Sequence, residues 1–122
     1  MKIASGVDLI EIERVQTVLA RHGQRYLERV LTPAEREIFG KRVESLAARF
    51  AAKEAVSKAL GCGIGEVSFQ DIEVLQDDLG APVLQLHGAA AARAEMLGLA
   101  NWSVSLSHSQ SHAIAMVVAI GN

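Results

Sequence analysis

The chain has 122 residues, 50% of them hydrophobic and only 4% aromatic, with a formal net charge of -2 and a mean hydropathy of +0.22. This excludes a disordered chain and implies one domain over residues 1–122 with a core of Ala, Val, Leu and Ile, and the near-balanced charge excludes a global pull toward nucleic acid or an anionic membrane. The single cysteine, Cys62, excludes an internal disulfide, and the early charges of MKIASGVDLIEIERV exclude a secretory signal or membrane span, so a cytoplasmic protein is expected.

Residues 3–9 begin as a short apolar strand. From Ile10 the apolar residues Ile12, Val15, Val18 and Leu19 fall at helical spacing until Gly23, which places Asp8 at a strand-to-helix junction. A short helical piece follows over about residues 24–30. Thr32-Pro33-Ala34-Glu35 then starts another helix, with a threonine cap, a proline suited to the first turn and a glutamate placed for a capping box. From Ser45 the spacing of Leu46, Phe50, Val56 and Leu60, with alanines between, predicts a long helix ending at Gly61.

Val67, Phe69, Ile72, Val74 and Leu75 form a strand-like run, Asp77-Asp78-Leu79-Gly80 a hairpin turn, and residues 82–86 the return strand. Residues 89–97 predict a helix closed by Gly98. Trp102, Val104 and Leu106 alternate with Ser103, Ser105 and Ser107 as in a half-buried strand, and residues 113–120 form a last apolar strand. This order predicts an α+β domain, with a mostly antiparallel sheet packed against the long helix.

RFAAKEAVSKALGCGIG, residues 49–65, places Arg49, Lys53, Glu54 and Lys58 in the alanine-rich helix and ends in Gly61, Gly63 and Gly65. Glu54 and Lys58, four apart, share one face, and an exposed ion pair contributing about 0.3–0.5 kcal/mol would account for them. Arg49 and Lys53 form a second cationic pair on the same helix, and together with the glycines and Asp8 these residues resemble a phosphate site. Two carboxylates from different segments, Asp8 and Glu54, suit magnesium, which prefers oxygen ligands and few protein carboxylates. Zinc is disfavoured, because one cysteine and four scattered histidines contain no ligand pair. The glycines match neither the Walker A spacing nor the dinucleotide fingerprint.

Gly6-Val7-Asp8-Leu9 with Arg14, the stretch from Arg49 through Lys53-Glu54 and Lys58 to Gly61, and Val104-Ser105-Leu106-Ser107-His108 resemble the holo-acyl-carrier-protein synthase family. These are the small 4'-phosphopantetheinyl transferases of bacterial fatty-acid synthesis, and the likeness runs nearly end to end. It implies transfer of phosphopantetheine from coenzyme A to a serine of apo-acyl carrier protein, release of adenosine 3',5'-bisphosphate, a magnesium requirement, and a homotrimer with active sites between protomers. By the same resemblance, Asp8 and Glu54 are the metal ligands and Lys58 the cation beside the phosphates. Arg49 contacts the ribose 3'-phosphate, His108 lies near the nucleotide, Gly61, Gly63 and Gly65 line the phosphate end, and Pro82 packs near the adenine.

Arg14 and Arg21, seven apart, share a face if the first helix holds, and Arg25 extends the stripe. An ordinary solvated face accounts for them equally well. In the family, this helix resembles the dock for an acidic helix of the carrier. Cys62 is expected to be an inert thiol, His22, His87 and His112 carry no catalytic role, and Trp102 is expected in the core. A silent module that binds coenzyme A and a magnesium-dependent phosphohydrolase are the two competing functions.

Overall fold

The computed structural model describes residues 1–122. In chain order the elements are β1 (Lys2–Glu11), α1 (Ile12–His22), α2 (Gln24–Val30), α3 (Pro33–Phe39), α4 (Val43–Ala59), β2 (Ile72–Gln76), β3 (Pro82–Leu86), α5 (Gly88–Leu97), β4 (Asn101–His108) and β5 (His112–Gly121). They form an α+β fold with two antiparallel sheets, the three-stranded β1-β5-β4 and the hairpin β2-β3. No helix is long and apolar enough to cross a membrane.

α4 lies across the larger sheet and is buried nearly all round. Ala51, Ala52, Ala55 and Val56 are fully buried on it, which explains the alanine-rich sequence: only small side chains let a helix approach a sheet and other helices at once. The closest approach is at Gly6 of β1, where an added Cβ would lie 1.9 Å from the Ala55 carbonyl oxygen. Strand alternation then points Asp8, two residues further, to the same α4 face.

β1 runs to Glu11 rather than stopping at Leu9, because its ladder with β5 continues through Ile10↔Ala113 to Glu11↔His112. The following helix accordingly starts at Ile12 instead of Ile10, and Asp8 sits inside the strand. Val67 and Phe69 do not join β2. A 3₁₀ turn spans Phe69–Asp71, closed by the Asp71 carboxylate accepting from the Ser68 N-H at 3.0 Å, and Phe69 instead packs against Phe50 with ring centroids 5.2 Å apart. The capping box at Thr32 forms as expected: its hydroxyl accepts from Glu35 N-H at 3.2 Å, and the Glu35 carboxylate accepts from Thr32 N-H at 2.8 Å.

Alternation on the large sheet leaves one face uncovered. Ile3, Val7, Leu9, Ile114, Met116 and Ile120 all point away from α4 and are exposed, with Val7 paired to Met116 and Leu9 to Ile114 across the ladder. Ser103, Ser105 and Ser107 of β4 border this apolar stripe.

Candidate active site

The close packing at Gly6 brings β1 and the C-terminal half of α4 together, and three side chains meet there. Lys58 donates to the Val7 carbonyl at 2.9 Å and to the Asp8 carboxylate at 3.1 Å. Lys58 is half exposed, whereas Asp8 is largely covered, so the pair opens to solvent on one side only. Glu54, one helical turn before Lys58, shares a pocket wall with Asp8. Burial first, and then the negative charge of Asp8, push the Glu54 carboxyl above its usual range, with Lys58 opposing.

This pocket encloses about 370 Å³ and is walled also by Arg14, Val18, Tyr26 and Phe50. A neighbouring recess of about 320 Å³ between α1 and α2 is lined by His22, Arg25, Tyr26 and Arg29. Val18 and Tyr26 line both, and burial raises the Tyr26 phenol above the ordinary value against the pull of Arg14 and Arg29. Arg14, Arg21 and Arg25 are exposed, and none pairs with a carboxylate of the chain.

Residues 4–117 match the sequence model of the 4'-phosphopantetheinyl transferase superfamily. The chain belongs to that superfamily. It is 52% identical to a holo-acyl-carrier-protein synthase of Herpetosiphon aurantiacus, over 98% of this chain and 99% of that one. Another, from Solidesulfovibrio magneticus, is 48% identical over 95% and 96%. The fold is similar to the Helicobacter pylori holo-acyl-carrier-protein synthase solved in complex with coenzyme A, with a TM-score of 0.87, 36% identity and coverage of 95% and 99%.

In this transferase-superfamily chain, Asp8, Glu54, Lys58 and Arg14 come together, while the other expected site residues lie elsewhere. Arg49 points into the protein: its Nε donates to the Val74 carbonyl at 3.2 Å and its guanidinium lies 3.5 Å over the Phe39 ring centroid. Pro82 begins β3, opposite Gln76. His108 ends β4, exposed, with Nδ1 3.3 Å from the Ser109 carbonyl.

Two expectations need correction. Lys53 is no part of a phosphate site: it is fully buried and bonded to Glu35, Val30 O and Phe69 O, because its side of α4 faces α2 and α3 rather than solvent. The N-H groups of Gly61, Cys62, Gly63 and Gly65 are not free either. Gly61 N-H donates to Lys58 O, Cys62 and Gly63 N-H to Ser57 O, and Gly65 N-H to Val67 O. Gly61 and Gly63 are required by their φ of 74° and 81°, which terminate α4 in a left-handed turn. Cys62 is half-buried, its Sγ 3.7 Å from Ser57 O, as suits an inert thiol.

Tyr26 and Arg29 escaped the sequence analysis. The only signal available was a lone tyrosine between two arginines in a short helix, and nothing in that spacing points to Glu54. No cluster of three His, Cys, Asp or Glu residues exists in the chain. Asp8 and Glu54 nevertheless present two carboxylates to one open pocket, a donor chemistry that would fit a hard divalent cation.

Proposed function

We propose that the chain, acting as one domain over residues 1–122, transfers the 4'-phosphopantetheine group of coenzyme A to a serine of apo-acyl carrier protein. It releases adenosine 3',5'-bisphosphate and serves fatty-acid biosynthesis in the cytoplasm. The observation that carries this is the meeting of Asp8 and Glu54 at one partly desolvated pocket, with Lys58 bonded to Asp8 from the adjoining recess. The serine oxygen attacks the β-phosphorus, a new P-O bond forms, and the bond to the departing bisphosphate breaks. Lys58 offsets the negative charge that grows on the phosphate oxygens. In this proposal Glu54 is the protein group that receives the serine proton, directly or through a water. A magnesium ion held by Asp8 and Glu54 supplies, when bound, neutralisation and orientation of the diphosphate.

Mass spectrometry of apo-carrier incubated with coenzyme A and magnesium tests the proposal. A gain of one phosphopantetheine mass is expected. Unchanged carrier with consumed coenzyme A would mean hydrolysis, and neither change would mean a binding module.

The remaining coenzyme A contacts, His108, Pro82 and the wall formed by Gly61, Gly63 and Gly65, belong in this proposal to sites shared between protomers of a homotrimer, whereas Arg49, buried over Phe39, is left out of them. The uncovered apolar face supports this assembly. Lys58 reaches the rim of that face, sharing a recess with Val7 and Met116. Light scattering should give three times the 13.0 kDa chain mass. Met116→Asp should give monomers with unchanged far-ultraviolet dichroism and little transfer. A monomeric wild type would refute the assembly.

Arg14, Arg21 and Arg25 form the dock for an acidic carrier helix, their unpaired charges being available to it. Arg14→Glu is expected to raise the KM for carrier about tenfold and that for coenzyme A less than twofold, with the carrier KM of the wild type rising with salt. Equal effects on both substrates would count against docking.

Magnesium alone should raise Tm, and more at about pH 8 than at about pH 5. Glu54 has a folded-state pKa above its unfolded one, so the folded state binds the proton more tightly. Stability from this group therefore falls as pH rises from the ordinary carboxylate range through the raised value. The cation relieves the charge that appears there. An equal Tm shift at both pH values would disconnect magnesium from Glu54.

A further inference from the structure

We propose that Gln70 is a positioning residue for the second substrate: with Lys53 it clamps the C-terminal end of α2 and so holds the Arg25-Tyr26-Arg29 surface against the pocket of Glu54. The inference rests on the proposal that α1 and α2 receive the carrier.

α2 has only seven residues and is joined to α1 through Gly23 at φ 56°. Two turns of helix are far below the roughly 12–15 residues at which an isolated helix becomes even marginal in water, so tertiary contacts must hold it. The weak point is its C-terminal end, where the last carbonyls have no partners within the helix. Both residues act there. Gln70 Nε2, from the turn before β2, donates to Glu28 O at 2.7 Å and to Leu31 O at 2.7 Å, with Arg29 O at 3.4 Å. Lys53 Nζ donates to the intervening Val30 O at 2.6 Å from the α4 side, and to Phe69 O, next to Gln70, at 3.1 Å.

The clamp therefore ties α2 both to the helix that carries Glu54 and to the turn in front of β2. Lys53 is fully buried and neutralised by Glu35, whose carboxylate also accepts from Thr32 and Val74 N-H, so this half of the clamp is rigid. Gln70 is only partly buried and acts through a neutral amide. It can be altered without leaving an unpaired charge in the core, whereas Lys53 cannot.

Gln70→Glu keeps the shape but replaces the donor by an acceptor facing carbonyl oxygens; Gln70→Lys keeps a donor. For Gln70→Glu the KM for carrier should rise about 3- to 10-fold, the loss of a net hydrogen bond or so, with kcat at saturating carrier and the KM for coenzyme A within about twofold of wild type. Gln70→Lys should restore most of the loss. Hydrogen exchange should speed up at the α2 amides of Gln70→Glu while those of α4 stay protected. A purely structural role would instead lower kcat and both substrates' apparent affinities together, with Tm.

Unchanged α2 exchange in Gln70→Glu would overturn the clamp itself. Faster α2 exchange with an unchanged carrier KM would overturn the positioning role by showing that α2 does not receive the carrier. In that second case the Arg14→Glu result says whether docking by α1 survives. Should Gln70→Glu fold poorly, Gln70→Ala, which adds no repulsion, carries the same two readouts.

Discussion

Glu54→Gln is expected to lower kcat for carrier modification by about 10³-fold while leaving the protein folded. The substitution is isosteric, and the side chain takes part in no ion pair that its loss would strand. What disappears is the charge. In the folded chain that charge is disfavoured by burial and by Asp8, so its removal should leave Tm unchanged or slightly higher at neutral pH. Function and stability thus move apart, which is the signature of a residue kept for chemistry. Turnover should be followed by mass spectrometry of the carrier, at saturating coenzyme A and with magnesium titrated from limiting to excess. Wild-type turnover at limiting magnesium would contradict both proposed roles of Glu54, as ligand and as proton acceptor.

Gly6→Ala should damage stability and catalysis together. The added methyl would lie 1.9 Å from Ala55 O and 2.8 Å from Ala55 C, both backbone atoms in the middle of α4, so no side-chain rotation can make room. Either β1 lifts off the helix or the strand bends. Overpacking of this kind costs on the order of 2–3 kcal/mol. That corresponds to a fall in Tm of about 10 °C for a chain of this size. Asp8 is two residues along the same strand and its partner Lys58 sits one turn beyond Ala55, so a displacement of about 1 Å at Gly6 separates them from Glu54 and should cut kcat about 10²-fold. Turnover must be measured well below the variant's own midpoint, where the population is folded. A Tm and kcat both close to wild type would show that β1 and α4 are not in close contact at Gly6.

Much of the architecture was legible because it is local. The capping box joins Thr32 to Glu35 across three residues, and the serines of β4 alternate with Trp102, Val104 and Leu106 along a single strand. Both patterns arise from the geometry of one element and need no partner. The end of β1 is another matter. Ile10 and Ile12 fit a helical period, yet Ile10 belongs to the strand because β5 offers a backbone partner as far as His112. The choice between ladder and helix was made by a segment about a hundred residues away.

The same division explains the charged, alanine-rich helix. Lys53 and Glu54 are neighbours in the chain with opposite fates: Lys53 turns into the protein to meet Glu35, Val30 and Phe69, while Glu54 turns toward Asp8 and an open pocket. Arg49 is likewise drawn inward, onto Phe39 and the Val74 carbonyl. By itself the sequence determined the element order, the Thr32 cap, the alternating strands and, through its resemblance to a transferase family, the roles proposed for Asp8, Glu54 and Lys58. Only the tertiary structure decided which charges on that helix are buried and which turns toward the pocket. Periodicity sets the angle between side chains around a single axis, but what each one meets depends on surfaces brought up from distant parts of the chain.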